Sequence, residues 1–396
     1  MRAKLFAAVF LNSLGNWAGF FAMTDAAYGM KKSALDVSLM MILNGIGILL
    51  GTFYVKYLEK NQVKSERGIL ATLSTVQGSL LLLSIPIFIM KVSWAAYFLG
   101  FLYLFISIFV VPQQAYRTAY VRRAVPKNIW PKYLGLLSTA FRLSMLLGPV
   151  CMGFLVSKFG PVTGLLLDSM SFFIAAFFFI KLPENFTRNN SILTKEKENN
   201  SKIKNKQYHI KLFLAGSIFV GLSNGAVNTT EFIFIKEVLM GAQYEFGIII
   251  TLCGLGGVFG SSLASRYVNA SNMEVTECIA LGSLFLSYTL FSYSNSLIIS
   301  CVFISIYGVF SSLNAVSRQL KLNHLSTTSN IISLQAKNTQ IILIGNIVGA
   351  SLSGWLSEIT GVRIAGVSGV IPYLLLSLFF LNVMYTRKNF LMKSYS

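Results

Sequence analysis

The sequence predicts an all-α integral membrane protein of twelve transmembrane helices in two pseudo-symmetric six-helix bundles. Three observations carry that prediction. The composition is 54% hydrophobic and only 12% charged, with a mean hydropathy of +0.65, which is too apolar for a water-soluble domain. A length of 396 residues accommodates about twelve spans of roughly 20 residues with short connections. The second half also repeats the small residues of the first. Gly345, Gly349, Gly354 and Gly361 stand 201 positions after Ser144, Gly148, Gly153 and Gly160, and Arg318 stands 201 after Arg117. Gly254, Gly256 and Gly260 likewise follow Gly45, Gly47 and Gly51 at an offset of 209. In lipid, where apolar packing gains little over contact with acyl tails, rows of small side chains let two helix backbones approach closely. A contact face made twice, in the same order, marks a duplicated unit, and parallel repeats of this size in a membrane chain point to transport.

Taken in order, apolar runs place the spans near residues 5–28, 35–56, 68–90, 93–113, 133–157 and 162–182. The second set lies near 211–231, 244–265, 276–294, 297–317, 332–357 and 362–385. The first run follows Arg2 and Lys4 as a signal peptide would, but Asn12 and Asn16 interrupt it and no small-x-small cleavage site follows, so an uncleaved span is expected. Residues 117–132 are basic, and Pro126 and Pro131 favour turns; they form either a gate or lipid anchor, or simply a topology signal. Between the sets, the run NNSILTKEKENNSKIKNK has no apolar periodicity and reads as a flexible linker. The expected organisation is therefore a first bundle over 1–182, a linker over 183–210 and a second bundle over 211–396.

The formal net charge of +19 invites a nucleic-acid reading, but its distribution excludes one. With Met1 inside, the outer segments hold only Lys31, Lys32, Lys91, Lys158, Lys236 and Arg363 of the 33 Lys and Arg residues, and Arg142 falls inside a span. This is the positive-inside bias, with both termini cytoplasmic. The four cysteines have no C-x2-C spacing and sit in apolar sequence, so they read as buried unpaired thiols. There is no P-loop, no H-E-x-x-H and no G-x-S-x-G, and His209 and His324 fall in predicted loops. No enzyme, metal site or cofactor is expected, and the energy for transport must come from a gradient.

Residues 138–183, STAFRLSMLLGPVCMGFLVSKFGPVTGLLLDSMSFFIAAFFFIKLP, resemble the fifth and sixth helices of the major facilitator superfamily. Within it they are most similar to the drug-efflux branch of macrolide and siderophore exporters. The resemblance rests on Gly148-Pro149, on Phe159-Gly160-Pro161 and on Asp168 followed by Ser171-Phe172, and it associates the Gly148-Pro149 pair with antiport. The chain departs from the family after span two, where Val55 stands in place of an expected aspartate beside Lys56; Glu59, one turn on, is the candidate replacement. Asn16 likewise stands where this branch often has an aspartate.

An ionisable group in hydrocarbon is costly, so each one is a functional candidate. Asp25 and Glu231, near the outer ends of spans one and seven, are the proton-coupling candidates, or else sit at the water interface. Arg142 and Asp168, on adjacent spans, are structural or gating candidates that could pair, with Arg142 otherwise snorkelling to the cytoplasmic side. Gly148, Pro149, Lys56, Glu59 and Arg117 belong to the same class.

The resemblance assigns spans one, four, seven and ten to a cavity wall. Polar and aromatic residues accumulate there: Asn12, Asn16 and Trp17; Tyr103; Asn224 and Asn228; Tyr307 and Asn314. Each i, i+4 asparagine pair shares a helix face and should turn inward, to a wet cavity or to a neighbouring helix.

The expected function is secondary export of an amphipathic small molecule by proton antiport. The alternatives are a permease of the same fold for a metabolite, peptide or siderophore, or a non-transporting sensor or immunity protein. The expected partners are the small-molecule substrate, protons and membrane lipids, with no nucleic acid. The expected state is a monomer in a bacterial cytoplasmic membrane. A reporter fused between residues 185 and 207 should score as cytoplasmic; an outer location would break the twelve-span assignment.

Overall fold

A computed structural model describes residues 1–31, 33–60, 65–89, 94–124, 130–183, 200–269, 271–325 and 331–393. Its regular structure is helical throughout. The first seven helices are α1 (Arg2–Lys31), α2 (Ala34–Lys60), α3 (Glu66–Ile89), α4 (Ala95–Ile108), α5 (Val110–Ala124), α6 (Trp130–Phe159) and α7 (Pro161–Ile180). Six follow: α8 (Asn200–Glu237), α9 (Gln243–Tyr267), α10 (Met273–Tyr293), α11 (Leu297–Leu325), α12 (Ile331–Thr360) and α13 (Val362–Lys393). Among the described residues they supply twelve segments long and apolar enough to cross a membrane. A helix satisfies its own backbone polar groups, the condition for crossing hydrocarbon. Large side chains such as Leu83, Phe154, Phe177, Ile180 and Ile359 stand more than half exposed, as acyl tails rather than water would require.

Thirteen helices make twelve spans because α4 and α5 share one, Tyr97–Val121. Pro112 has no N–H to give to the Ile108 carbonyl, so the ladder breaks at Phe109 and resumes. The span runs further than the expected 93–113, and the basic run from Arg117 to Ala124 is helical rather than turn-like. Pro126 lies outside the described residues. The linker expectation is also corrected in part: α8 begins at Asn200, since a helix propagates readily from an apolar span into lysine- and glutamine-containing sequence. Residues 184–199 lie outside the described residues. His209 and His324 are on helices α8 and α11, not in loops.

Contacts divide the chain into two compact units. The first is Met1–Ile192 with Ile235–Thr251, and the second is Leu193–Phe234 with Leu252–Ser396. Within the first, α1 packs on α6 and α7, α3 packs on α7, and α2 packs on α4; within the second, α10 packs on α11 and α13. All four cysteines are free, with Cys278 buried and Cys253 and Cys301 half-buried. Cys151 is exposed on α6, contrary to the expected burial, because it points off the face that Gly148 and Met152 present inward.

The duplicated glycines are close-packing points in both units. A Cβ on Gly47 or Gly51 of α2 would strike the α4 carbonyls of Leu104 or Ile108. One on Gly256 or Gly260 of α9 would strike those of Ser305 or Val309 on α11. On α8, Gly221 and Gly225 meet Ile342, Gly345 and Asn346 of α12, and Gly349 meets Leu222 in return. Gly160 and Gly361 end the equivalent helices α6 and α12 at φ of 83° and 85°, a left-handed conformation that only glycine adopts cheaply and that turns the chain at once into α7 or α13. Gly349→Val should lower the melting temperature of the detergent-purified protein, since forced overpacking costs about 1–3 kcal/mol. Gly68→Ala, where the nearest atom to a new Cβ is 3.5 Å away, should leave it unchanged.

Candidate functional site

In the first unit the polar side chains of α1, α3, α4, α5 and α7 turn inward and form two groups. In one, the buried Asn12 carboxamide of α1 donates to Gln113 Oε1 at 3.4 Å. Gln113 in turn donates to Ser74 Oγ at 2.9 Å and to Gln77 Oε1 at 2.6 Å on α3, and Gln77 donates to the Ile106 carbonyl at 3.0 Å. The break after α4 brings Gln113 to this face: α5 restarts just before it, and its N–H bonds the Phe109 carbonyl at 3.0 Å. Asn16 does not join Asn12; it is exposed. Trp17 is half-buried and lies against Gly148, whose missing side chain makes room for the indole. Pro149, also buried, faces its carbonyl to Gly247 of α9.

The second group centres on Asp168. Its carboxylate, 2% exposed, accepts from the Tyr103 hydroxyl at 3.3 Å, and the other oxygen has no partner. Ser171 donates to the Asp168 carbonyl at 2.7 Å. A Cβ at Gly19 of α1 would occupy the space of both the carboxylate and the phenol. Asp168 therefore packs between α7 and the helices α1 and α4. It is not paired with Arg142, which is exposed on α6.

Asp25 is not an isolated carboxylate. Lys236, at the end of α8 and within the same unit, stands 3.6 Å away, with the two side chains 35% and 18% exposed respectively. A pair so open to solvent contributes at most about 1 kcal/mol. Gln243, at the start of α9, donates nearby to the Phe21 carbonyl at 3.2 Å and to Thr24 at 3.3 Å, fixing the end of α1.

In the second unit the tyrosine hydroxyls form a chain. Tyr373 of α13 donates to Asn224 of α8 and lies 3.3 Å from the Tyr307 hydroxyl of α11. The rings of Tyr307 and Tyr288 are 5.6 Å apart, and the Tyr288 hydroxyl is 2.7 Å from that of Thr230. Glu231 adjoins this row. It is 9% exposed, one carboxylate oxygen is unpartnered, and among the described residues no cation stands within ion-pair distance of it. Asn314 is buried with its carboxamide oxygen unpartnered, while Asn228 is exposed and does not share the environment of Asn224. The helix pitch separates them: residues four apart diverge by about 40° around the axis, enough for one to leave a contact face. Asn12 and Asn16 differ in the same way.

Sequence reasoning missed a buried charge cluster. Glu277, at the start of α10 and fully buried, accepts from Arg318 at 2.9 Å and from Lys321 at 3.1 Å. Arg318 also donates to Ser217, which donates to Asn338 at 2.6 Å, and its guanidinium stacks 4.7 Å over the Phe213 ring. The repetition of Arg117 by Arg318 was the available signal. Arg117 behaves differently, its Nε donating at 3.2 Å to the Gln113 carbonyl of its own helix. The side chains of Lys56 and Glu59 lie outside the described residues. Among the described residues no cluster of three or more histidine, cysteine or acidic side chains is placed to hold a metal ion.

Comparison with known proteins places this architecture. The family model of the Major Facilitator Superfamily matches residues 5–334. No curated protein matches the sequence. Among solved structures, the nucleoside transporter NupG aligns with a TM-score of 0.76 at 13% identity, covering 97% of this chain and 98% of that one. A POT family transporter in complex with a thioalcohol-conjugated peptide aligns at 0.75 and 12% identity over 97% and 96%. A bacterial homolog of the human lysosomal transporter Spinster aligns at 0.72 and 12% identity over 96% of each chain. At these identities the structures are evidence of a shared fold. The match over most of the chain, on twelve membrane-spanning helices, makes this protein a member of the Major Facilitator Superfamily, a transporter and not an enzyme.

Proposed function

We propose that this protein is a secondary active exporter of amphipathic small molecules, of the drug-efflux branch, driven by proton antiport through alternating access. It acts as a monomer in a bacterial cytoplasmic membrane with both termini inside. The observation that carries the reading is Glu231: a carboxyl group buried in a membrane helix with an unpartnered oxygen and no neighbouring cation among the described residues. A carboxyl so placed can exchange a proton for a change in its surroundings, whereas one locked to a cation cannot. Asp25, held by Lys236, is the weaker of the two candidates for coupling.

In the second unit Asn224, Tyr307 and Tyr373, and separately in the first Asn12 and Tyr103, are the polar side chains that this reading assigns to ligand contact. Gly148-Pro149, which resembles the antiporter motif, supports exchange over uniport. The loop position at Val55 lacks the family's acid.

A second reading is favoured by the structural likeness to a nucleoside transporter and to a peptide-bound transporter: a permease of the same fold for a metabolite. A susceptibility panel on a strain overexpressing the protein separates the two. Export predicts raised tolerance to a set of amphipathic drugs, and a permease predicts none. In proteoliposomes loaded with a dye that the panel identifies, Glu231→Gln should abolish pH-gradient-driven efflux while Asp25→Asn retains part of it. Full efflux in the Glu231→Gln protein would remove that residue from coupling.

A further inference from the structure

Asp168 lies in the first unit within the span Pro161–Ile180, with about 10 Å of helix between it and the nearer end of that span. The face of α1 turned toward it is made of small residues. A Cβ on Gly15 would strike the Ser171 side chain, and one on Gly19 would strike both the Asp168 carboxyl group and the Tyr103 phenol; Ala18 between them is fully buried. The α1 backbone thus closes over the carboxyl group and leaves Asp168 2% exposed.

Within this closed site Oδ2 takes the Tyr103 hydroxyl, and Oδ1 has no partner among the described residues. The Ser171 hydroxyl is already given to the Asp168 backbone carbonyl. The 3.3 Å between the phenol and the carboxyl group is long, because a hydroxyl donating to an anion closes to about 2.5–2.7 Å. That spacing is the spacing of a neutral acid. No charge on the surrounding helices answers Asp168. On α1, Asp25 is taken by Lys236. On α3, Arg67 donates to the Ile180 and Leu182 carbonyls at and beyond the far end of α7. On α6, Lys158 lies over the Phe154 and Phe159 rings, and Arg142 is exposed. From α4 the Tyr103 phenol faces the carboxyl group, while the Tyr97 hydroxyl donates to Asp36. An anion buried without a counter-ion is costly, and a neutral carboxylic acid far less so. The packing excludes a hydrated cation or an amine, and a single open oxygen is too few for a hard metal ion, which takes about six oxygen ligands. The ligand that fits is a proton.

We propose that Asp168 is a second proton-binding site, loaded while α1 lies against α7 and emptied when that packing opens to water, with Tyr103 as its positioning residue. The inference rests on the proton-antiport reading and gives each unit one exchanging carboxyl group, Asp168 in the first and Glu231 in the second.

Infrared difference spectroscopy between acid and alkaline pH tests this on the purified full-length protein in detergent, without substrate or gradient. The Glu231→Gln protein should show a carbonyl-stretch band of a protonated carboxyl group that disappears at alkaline pH, and adding Asp168→Asn should remove that band. Tyr103→Phe should keep the band and raise its frequency, because the hydrogen bond to the carboxyl oxygen is gone; a role in packing alone would leave the frequency in place. An unchanged melting temperature verifies folding, and if the asparagine variant does not fold, the Tyr103→Phe shift decides. Identical spectra with and without Asp168→Asn, or no shift in Tyr103→Phe, would overturn the proposal. So would an Asp168 band that persists at every pH at which the protein stays folded, since it would mark a fixed structural acid. In proteoliposomes exporting a drug, Asp168→Asn should halve the number of protons exchanged per drug, and an unchanged ratio would also overturn exchange at this residue. A titrating Asp168 band in a protein that moves no protons with any drug would support the binding site and sink the antiport reading instead.

Discussion

Close approach of helix backbones through glycine is the constraint on which the rest of this structure depends. In hydrocarbon, apolar side chains gain little by leaving lipid for one another, so association relies on intimate van der Waals contact and on polar groups with no other partner. Gly221 and Gly225 of α8 against Gly345 and Gly349 of α12 supply that contact in one unit. Gly47 and Gly51 of α2 against α4 do so in the other, and α9 repeats the pattern against α11. Where a glycine faces a large or polar side chain the same economy makes room for it: Gly19 accommodates Asp168 and Tyr103, and Gly148 accommodates Trp17.

Buried charge is handled in two ways. Glu277 is answered by two cations and lies at the end of its span, so its charge ties α10 to α11 at little risk. A lone buried ion is expensive, whereas a fully satisfied cluster is tolerable and rigid. Asp168 and Glu231 are each buried in a membrane-spanning helix with one carboxylate oxygen unpartnered. An ionisable group in such a setting is a candidate for function. One lies in each unit, Asp168 accepting from the Tyr103 hydroxyl and Glu231 following Thr230, whose hydroxyl meets that of Tyr288.

The basic residues at the ends of the spans fall into two settings. Most of them read as topology, setting which side of the membrane each connection occupies. Around α8, α10, α11 and α13, however, they line a cavity. The lysine that closes the Glu277 cluster also lines that cavity.

By itself the sequence determined the fold class, the number of spans and the duplication. These depend on local quantities: twenty-residue apolar runs, glycine spacing along one helix face, and the sign of charge between runs. It also marked Asp168, Glu231, Asn12 and Tyr103 as polar groups in the wrong solvent. What it left undecided was partnership, because a partner is set by the rotation and crossing of separate helices. Periodicity placed Asn224 and Asn228 together, yet only Asn224 meets Tyr373. Lys236 passed for an outer-loop charge until it was found beside Asp25, and two histidines over a hundred residues apart were assigned to loops until tertiary packing set them on the walls of one cavity.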